Sequence, residues 1–149
     1  MAVRELTLAD HAMVDELREA VGADLARASP DWLAPTASGA KAFLAASGSF
    51  MFGAYVDHDV AGGVWGHVIR HPDGAITVQA NELYVLAGVR RRGIGSLLVE
   101  SAMGLAKRSG AQAFELRSTR AAGTGDTGMA ELCASLGSTS GPAMQRWAL

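Results

Sequence analysis

One segment, residues 81–99, places the strongest constraint on how this chain can fold. Its sequence, NELYVLAGVRRRGIGSLLV, has the pattern of an apolar strand, a basic loop with two glycines and the start of a helix. Such a loop points several backbone N–H groups at one spot at the positive end of the helix, which favours a phosphate or pyrophosphate. Gly93 and Gly95 let an anion approach the backbone, and Arg90–Arg92 supply guanidinium donors.

Two well-known phosphate-binding motifs do not fit this loop. No Gly-Lys-Ser/Thr sequence closes it, and its glycine spacing differs from that of the G-x-G-x-x-G dinucleotide fingerprint. The simplest alternative is a basic surface loop. That interpretation leaves unexplained why glycine stands at two positions where a packed helix would favour alanine.

The composition predicts a single domain, residues 1–149, with a sizeable core. Hydrophobic residues make up 49% of the chain, but no run is long enough to span a bilayer, and the N-terminal segment has acids where a secretory signal is apolar. Cys133 is the single cysteine, which excludes an internal disulfide and a cysteine metal cluster. We therefore expect a cytoplasmic protein with no metal and no membrane segment.

The charge distribution favours a small anionic ligand over a nucleic acid. The net charge is −2, which does not suit non-specific binding to a long polyanion. Within this mildly acidic chain the basic residues are concentrated at Arg90–Arg92.

Turn and capping signals divide the chain into segments with strand or helix patterns. We predict strands at residues 3–8, 50–56, 60–70, 75–86, 113–118 and 143–149, and helices at residues 11–21, 94–109 and 129–136, with one or two helical pieces between 23 and 46. Asp10 is the expected N-cap of the first helix, and Gly110 and Gly137 are expected to end two later ones. Asp57–Asp59 is the expected polar turn, and Gly62–Gly63 is a candidate bulge. The pattern alone predicts a mixed α/β domain with an antiparallel meander.

The loop Arg90-x-x-Gly93-x-Gly95 resembles the R/Q-x-x-G-x-G/A signature of the GNAT superfamily of acetyl-CoA-dependent N-acetyltransferases. The predicted element order resembles the GNAT fold over essentially the whole chain, which implies α/β (α+β) architecture with a mainly antiparallel central sheet flanked by helices. The resemblance implies acetyl-CoA as co-substrate, with pantetheine along the strand and pyrophosphate on the loop amides. Ser96 could add a hydroxyl or could be an ordinary first-turn serine. The implied cofactor contacts are Leu83, Tyr84, Val85, Arg90, Arg91, Arg92, Gly93, Ile94, Gly95, Ser96 and Asp126.

Glu82 is the candidate general base, since many members of the family carry a carboxylate at this place in the strand. Partial burial can raise the pKa of a carboxylate enough for it to take a proton from an ammonium group. The alternative is an exposed acid that attracts a cationic substrate without taking part in the reaction. His67 and His71 are weaker candidates by position.

The general acid of the family is usually a tyrosine on the late helix, and alignment on Gly137 places Cys133 there. A thiol could protonate the leaving thiolate, but a small buried core cysteine is the competing interpretation. Tyr84 is an alternative donor.

The acceptor is predicted to be a primary amine of a small molecule, acetylated by direct transfer in a ternary complex. The segments around Glu82 and Gly125–Asp126 are similar to those of the small aminoglycoside 3-N-acetyltransferases, and an acidic pocket would suit a polyamine sugar. Amino acids, polyamines and protein N-termini stay open as acceptors, as do a catalytically weak CoA-binding sensor or partner module and homodimer formation. The acids could also be scattered surface charges. The candidate substrate-binding residues are Asp31, Asp57, Asp59, Glu82 and Asp126.

Overall fold

The computed structural model describes residues 1–28, 37–117, 132–140 and 144–149. Within these ranges seven strands form one sheet in the order β1-β2-β3-β4-β5-β7-β6. The strands are β1 (Ala2–Glu5), β2 (Ser49–Val56), β3 (Asp59–Arg70), β4 (Ile76–Val85), β5 (Ala113–Arg117), β6 (Thr139–Ser140) and β7 (Met144–Ala148). The helices are α1 (His11–Ala28), α2 (Ala37–Ala45) and α3 (Ile94–Arg108), and residues 132–135 are also helical.

The sheet is mainly antiparallel and is flanked by helices, which confirms the predicted fold class. Every described strand pair is antiparallel except β4–β5, which is parallel. The helix α3 connects these two strands, as a parallel pair requires a crossover connection.

The two faces of the sheet bury two separate hydrophobic clusters. On one face α3 packs Leu98 and Val99 into a cluster that contains Phe52 and Leu83. On the other face α1 packs its Val14, Leu17 and Val21 into a cluster with Met51 and Tyr84. Successive strand residues point to opposite faces, so Leu83 and its neighbour Tyr84 belong to different clusters.

The first helix begins and ends differently from its prediction. Asp10 is not the N-cap of α1 but lies in a 3₁₀ turn, Leu8–Asp10, that precedes it. The Asp10 carboxylate accepts a hydrogen bond of 2.9 Å from the backbone N–H of Thr7, which satisfies a donor at the start of that turn. The helix runs to Ala28 instead of ending at Val21.

The predicted turns and the last strand are present. Asp57 and His58 both have positive φ, 51° and 72°, which is the geometry of a two-residue hairpin turn. Gly110 and Gly137 have φ of 73° and 88°, as expected for glycines that end helices. The strand β7 confirms the predicted C-terminal strand.

Two bulges interrupt the β2–β3–β4 meander. The first leaves Ala61 without an opposite residue, one position before the predicted Gly62–Gly63, because Ala54 pairs with Gly62 and Tyr55 with Val60. The second was not predicted, and it adds one residue to β4. Trp65 pairs with Glu82 and Gly66 with Ala80, so that Asn81 is the extra residue.

Glycine is required opposite the second bulge. A Cβ atom at Gly66 would collide with the carbonyl oxygen of Gln79 and would lie 2.7 Å from the Cα of Ala80. Both are backbone atoms, which cannot rotate away. The glycine therefore allows β3 and β4 to approach closely where the bulge turns β4 beside Glu82.

Candidate functional site

The end of β4 extends beyond its parallel neighbour. The pairing of β4 with β5 covers Thr77–Ala80, whereas β4 continues to Val85. Leu83 and Val85 turn their side chains toward the α3 face of the sheet. The main chain of Leu83–Val85 thus forms the edge that leads from the sheet into the loop.

The loop after β4 contains two residues with left-handed backbone, and the second is followed directly by right-handed helix. Arg91 has φ of 64° and Gly93 has φ of 79°, both left-handed, and right-handed helix begins at Ile94. Adjacent left- and right-handed residues turn successive N–H groups inward and form a concave anion-binding nest. This nest lies at the positive end of the 15-residue helix α3, which adds a favourable field for an anion.

The side chains of the loop leave the nest open. Arg91, Arg92 and Gly93 are exposed, and no heavy atom lies within 4 Å of the position that a Cβ at Gly93 would occupy. Ile94 is only 1% exposed and packs in the α3-face cluster. Its contribution to a ligand site is therefore limited to its main chain. Ser96 is half-buried in the first turn of α3.

Gly95 has a packing role that the sequence did not indicate. A Cβ at this position would lie 2.9 Å from Cδ2 of Leu132, in the helical turn at 132–135. Glycine at this place allows that turn to pack against the N-terminal end of α3.

Arg90 turns back onto its own strand. Its Nε donates a hydrogen bond of 2.9 Å to the carbonyl oxygen of Val85, and its Cζ lies 5.5 Å from the centroid of the Tyr84 ring. Its Nη2 is 4.0 Å from Oδ2 of Asp24. The first arginine of the loop is therefore held by contacts with its own strand.

The Tyr84 hydroxyl lies on the α1 side of the sheet. It donates a hydrogen bond of 2.6 Å to Oδ2 of Asp24, and the backbone N–H of Ala87 donates to the same oxygen at 3.1 Å. Sequence reasoning missed Asp24. The available signal was its spacing, since Val14, Leu17, Val21 and Asp24 follow each other at intervals of three and four residues along one face of α1.

Glu82 is half-buried on the face of the sheet that carries α1 and α2, opposite Trp65 of β3. Beside it, Nδ2 of Asn81 lies 3.0 Å from Nδ1 of His67, and the His67 ring meets the Phe43 ring edge-on at 5.3 Å. The described neighbours of Glu82 along the two strands are thus Trp65 opposite it and the hydrogen-bonded pair of Asn81 and His67.

Residues 12–133 match the family model described as the Acetyltransferase (GNAT) family. The chain belongs to the GNAT acetyltransferase family. No curated protein matches the sequence.

Solved structures with the GNAT fold superpose on nearly the whole chain. One is an aminoglycoside acetyltransferase from an uncultured soil metagenomic sample in complex with sisomicin, at 16% identity and a TM-score of 0.79, covering 94% of this chain and 89% of that one. Another is the ribosomal-protein-alanine N-acetyltransferase of Brucella melitensis biovar Abortus 2308, at 20% identity and a TM-score of 0.71, covering 94% of both chains. A third is the PaiA N-acetyltransferase of Thermoplasma acidophilum in complex with coenzyme A, at 13% identity and a TM-score of 0.69, covering 100% of both chains. At these identities the likeness concerns the fold.

In this GNAT chain Cys133 occupies an apolar environment. Its side chain is fully buried, with 0% exposure, in the cluster that packs under α3. A thiol with no exposed surface has no direct access to a leaving thiolate in a neighbouring site. The placement therefore favours the packing interpretation of Cys133 over the role of general acid.

The described part of this GNAT chain does not assemble the predicted acidic pocket. Asp57 and Asp59 are exposed at the tip of the β2–β3 hairpin. Trp65, the partner of Glu82, lies six residues along β3 from Asp59, which corresponds to about 20 Å in an extended strand. Asp31 and Asp126 lie outside the described residues.

No group of three or more His, Cys, Asp or Glu side chains suited to a metal ion occurs within the ranges that the structure describes. In the same ranges, no helix combines the length and apolar character needed to cross a membrane.

Proposed function

We propose that this protein is an acetyl-CoA-dependent N-acetyltransferase that moves an acetyl group to a primary amine of a small molecule by direct transfer in a ternary complex. The observation that carries the proposal is that the end of β4, which extends beyond its pairing with β5, leads directly into the nest at the N-terminus of α3. An extended edge followed at once by an anion site matches a ligand with a long amide-bearing arm and a pyrophosphate.

The residues present fit coenzyme A. The open nest of backbone N–H groups and the exposed Arg91 and Arg92 suit a pyrophosphate, because arginine and helix N-termini both favour phosphate oxygens. The main chain of Leu83–Val85 suits the amides of pantetheine, and the main chain of Ile94–Ser96 completes the phosphate side. When bound, acetyl-CoA supplies the acetyl group as an activated thioester.

Glu82 is the proposed general base. A primary amine is protonated at neutral pH and must lose a proton before it can attack a thioester. The half-buried Glu82 carboxylate, on the α1–α2 face of β4, would attract the ammonium group and accept its proton, directly or through water. The fixed edge of β4 would hold the two reactants together, which lowers the entropic part of the barrier.

An aminoglycoside is the first acceptor to test. The sequence resemblance to small aminoglycoside acetyltransferases and the sisomicin-bound neighbour both support it. The ribosomal-protein-alanine N-acetyltransferase among the neighbours makes a protein N-terminus the second acceptor class. A CoA-binding module with little turnover is the competing function, and the buried Cys133 at the place of the usual tyrosine favours it.

The test is the release of free CoA thiol from acetyl-CoA with aminoglycosides, polyamines, amino acids and short peptides. The proposal predicts turnover with at least one amine, and it predicts that Glu82→Gln lowers kcat by about a hundredfold while acetyl-CoA binding is retained. Asp59→Asn is the matched control, because it removes an exposed carboxylate from the hairpin tip. Acetyl-CoA binding without turnover on any amine would favour the binding module.

A further inference from the structure

One buried carboxylate joins three segments around the start of the loop. Asp24 is 9% exposed, and its Oδ2 accepts hydrogen bonds from the Tyr84 hydroxyl at 2.6 Å and from the Ala87 N–H at 3.1 Å. The same oxygen lies 4.0 Å from Nη2 of Arg90. Asp24 belongs to α1, Tyr84 to β4 and Ala87 to the 3₁₀ turn Ala87–Val89. A single side chain thereby ties helix α1 to the connection between β4 and the nest.

The planar guanidinium of Arg90 makes two different contacts in this connection at once. Its Nε is bonded to the Val85 carbonyl, and its plane lies near the Tyr84 ring, whereas the distance of 4.0 Å to Asp24 makes a weak ion pair at a half-exposed site. A lysine could keep the charge but could not reproduce the Nε contact together with the ring contact.

The backbone conformation of Arg91 requires that the neighbouring segment be held in place. A non-glycine residue at φ of 64° costs on the order of 1 kcal/mol, and such a conformation persists only where the surrounding structure holds it. The segment that precedes Arg91 is anchored by the Arg90 hydrogen bond to Val85 and by the 3₁₀ turn, whose Ala87 N–H donates to Asp24.

We propose that Asp24 and Arg90 are positioning residues that fix the direction of the backbone N–H groups of the nest, and that Arg90 does not itself bind the pyrophosphate. This inference rests on the proposed function. It revises the expectation that all three arginines contact the co-substrate, and it assigns phosphate contacts to the exposed Arg91 and Arg92.

The test compares lysine at two arginines, one in the connection and one far from it. The affinity for acetyl-CoA is measured by calorimetry for the unaltered protein, Arg90→Lys and Arg70→Lys, with circular dichroism to show that each is folded. Arg90→Lys should raise Kd about tenfold, the size of one lost charge-assisted hydrogen bond. Arg70→Lys is the control and should leave Kd unchanged, because Arg70 is exposed at the end of β3 and pairs with Ile76, at the far end of β4 from Val85.

A double-mutant cycle then asks whether Asp24 and Arg90 act as one unit. Asp24→Asn should also raise Kd. The double variant with Arg90→Lys should lose clearly less binding free energy than the sum of the two single losses, because both changes disrupt the same connection. Glu19→Gln, which removes an exposed acid from the same helix, should leave Kd unchanged. A loss of acetyl-CoA affinity that is coupled between positions 24 and 90 cannot be produced by a general loss of stability.

The outcomes separate the two proposals. If the unaltered protein does not bind acetyl-CoA, the proposed function fails and the positioning role fails with it. If the unaltered protein binds acetyl-CoA and Arg90→Lys binds equally well, or if the effects of Asp24→Asn and Arg90→Lys are purely additive, the positioning role is overturned while the proposed function stands.

Discussion

The hydroxyl of Tyr84 donates a hydrogen bond of 2.6 Å to Oδ2 of Asp24, although the two residues are 60 positions apart. Tyr84 was a candidate proton donor for the reaction. The contact instead gives its hydroxyl a partner on α1, on the face of the sheet opposite the α3-face cluster that contains Leu83.

Removal of this hydroxyl should destabilise the protein. Tyr84→Phe leaves the buried Asp24 carboxylate with one donor fewer, and we expect a loss of about 2 kcal/mol in the free energy of unfolding, measured with urea. Tyr55→Phe is the control, because the Tyr55 hydroxyl is buried and has no hydrogen-bond partner within the described residues. It should leave stability unchanged or slightly higher. Equal losses in the two variants would contradict the account of Tyr84.

Stability on the acid side should depend on Asp10. The hydrogen bond from the Thr7 N–H is the main cause that lowers the pKa of Asp10 below its ordinary value of 3.8, with smaller help from the Thr7 hydroxyl and Arg4 against desolvation. A lowered pKa in the folded state means that the stabilising contribution is complete above 3.8 and is lost as pH falls through the lower, folded value. Asp10→Asn cannot ionise, so its stability relative to the unaltered protein should improve as pH falls through that window. A constant difference between the two urea midpoints would refute this.

The glycine opposite the β4 bulge should not tolerate a side chain. Gly66→Ala places a Cβ against the backbone of Gln79 and Ala80, and we expect a loss of about 3 kcal/mol in the free energy of unfolding. Gly88→Ala is the control, since nothing lies within 4 Å of its Cβ position and its φ is not positive. It should be neutral or slightly stabilising. The prediction is wrong if both variants unfold at the same urea concentration.

The left-handed conformation of Arg91 should lower the stability of any variant that carries a Cβ atom there. Arg91→Gly and Arg91→Ala remove the same guanidinium, and both should weaken acetyl-CoA binding about tenfold. Only Arg91→Gly relieves the conformation, so its free energy of unfolding should exceed that of Arg91→Ala by about 1 kcal/mol. The corresponding pair at Arg92, which has no positive φ, should show no such gain for glycine. Equal stability of Arg91→Gly and Arg91→Ala would show that the conformation carries no strain.

The sequence was sufficient for the fold and for the outline of the loop. Hydrophobic periodicity and turn residues located every strand of the sheet except the two-residue β6, which is too short to carry a pattern. The helix start at Ile94 was predicted because the glycines before it are local signals.

Long-range contacts could not be predicted in the same way. Asp24 meets Tyr84 only because α1 packs on the face of the sheet that Tyr84 faces, and no local pattern encodes that packing. The bulge at Asn81 depends on how β3 and β4 pair, which is a property of two strands and not of either sequence alone. The role of Gly95 likewise depends on Leu132, which is distant in sequence.

The most direct test of the central claim follows the backbone amide NMR signals of the protein during a titration with acetyl-CoA. We predict saturable shifts at Arg91, Gly93, Gly95 and Ser96 and along Leu83–Val85, with Asp57–Asp59 unaffected at the hairpin tip. Binding that leaves the loop amides unshifted, or no binding at all, would contradict the assignment of this loop as the pyrophosphate site of an acetyltransferase.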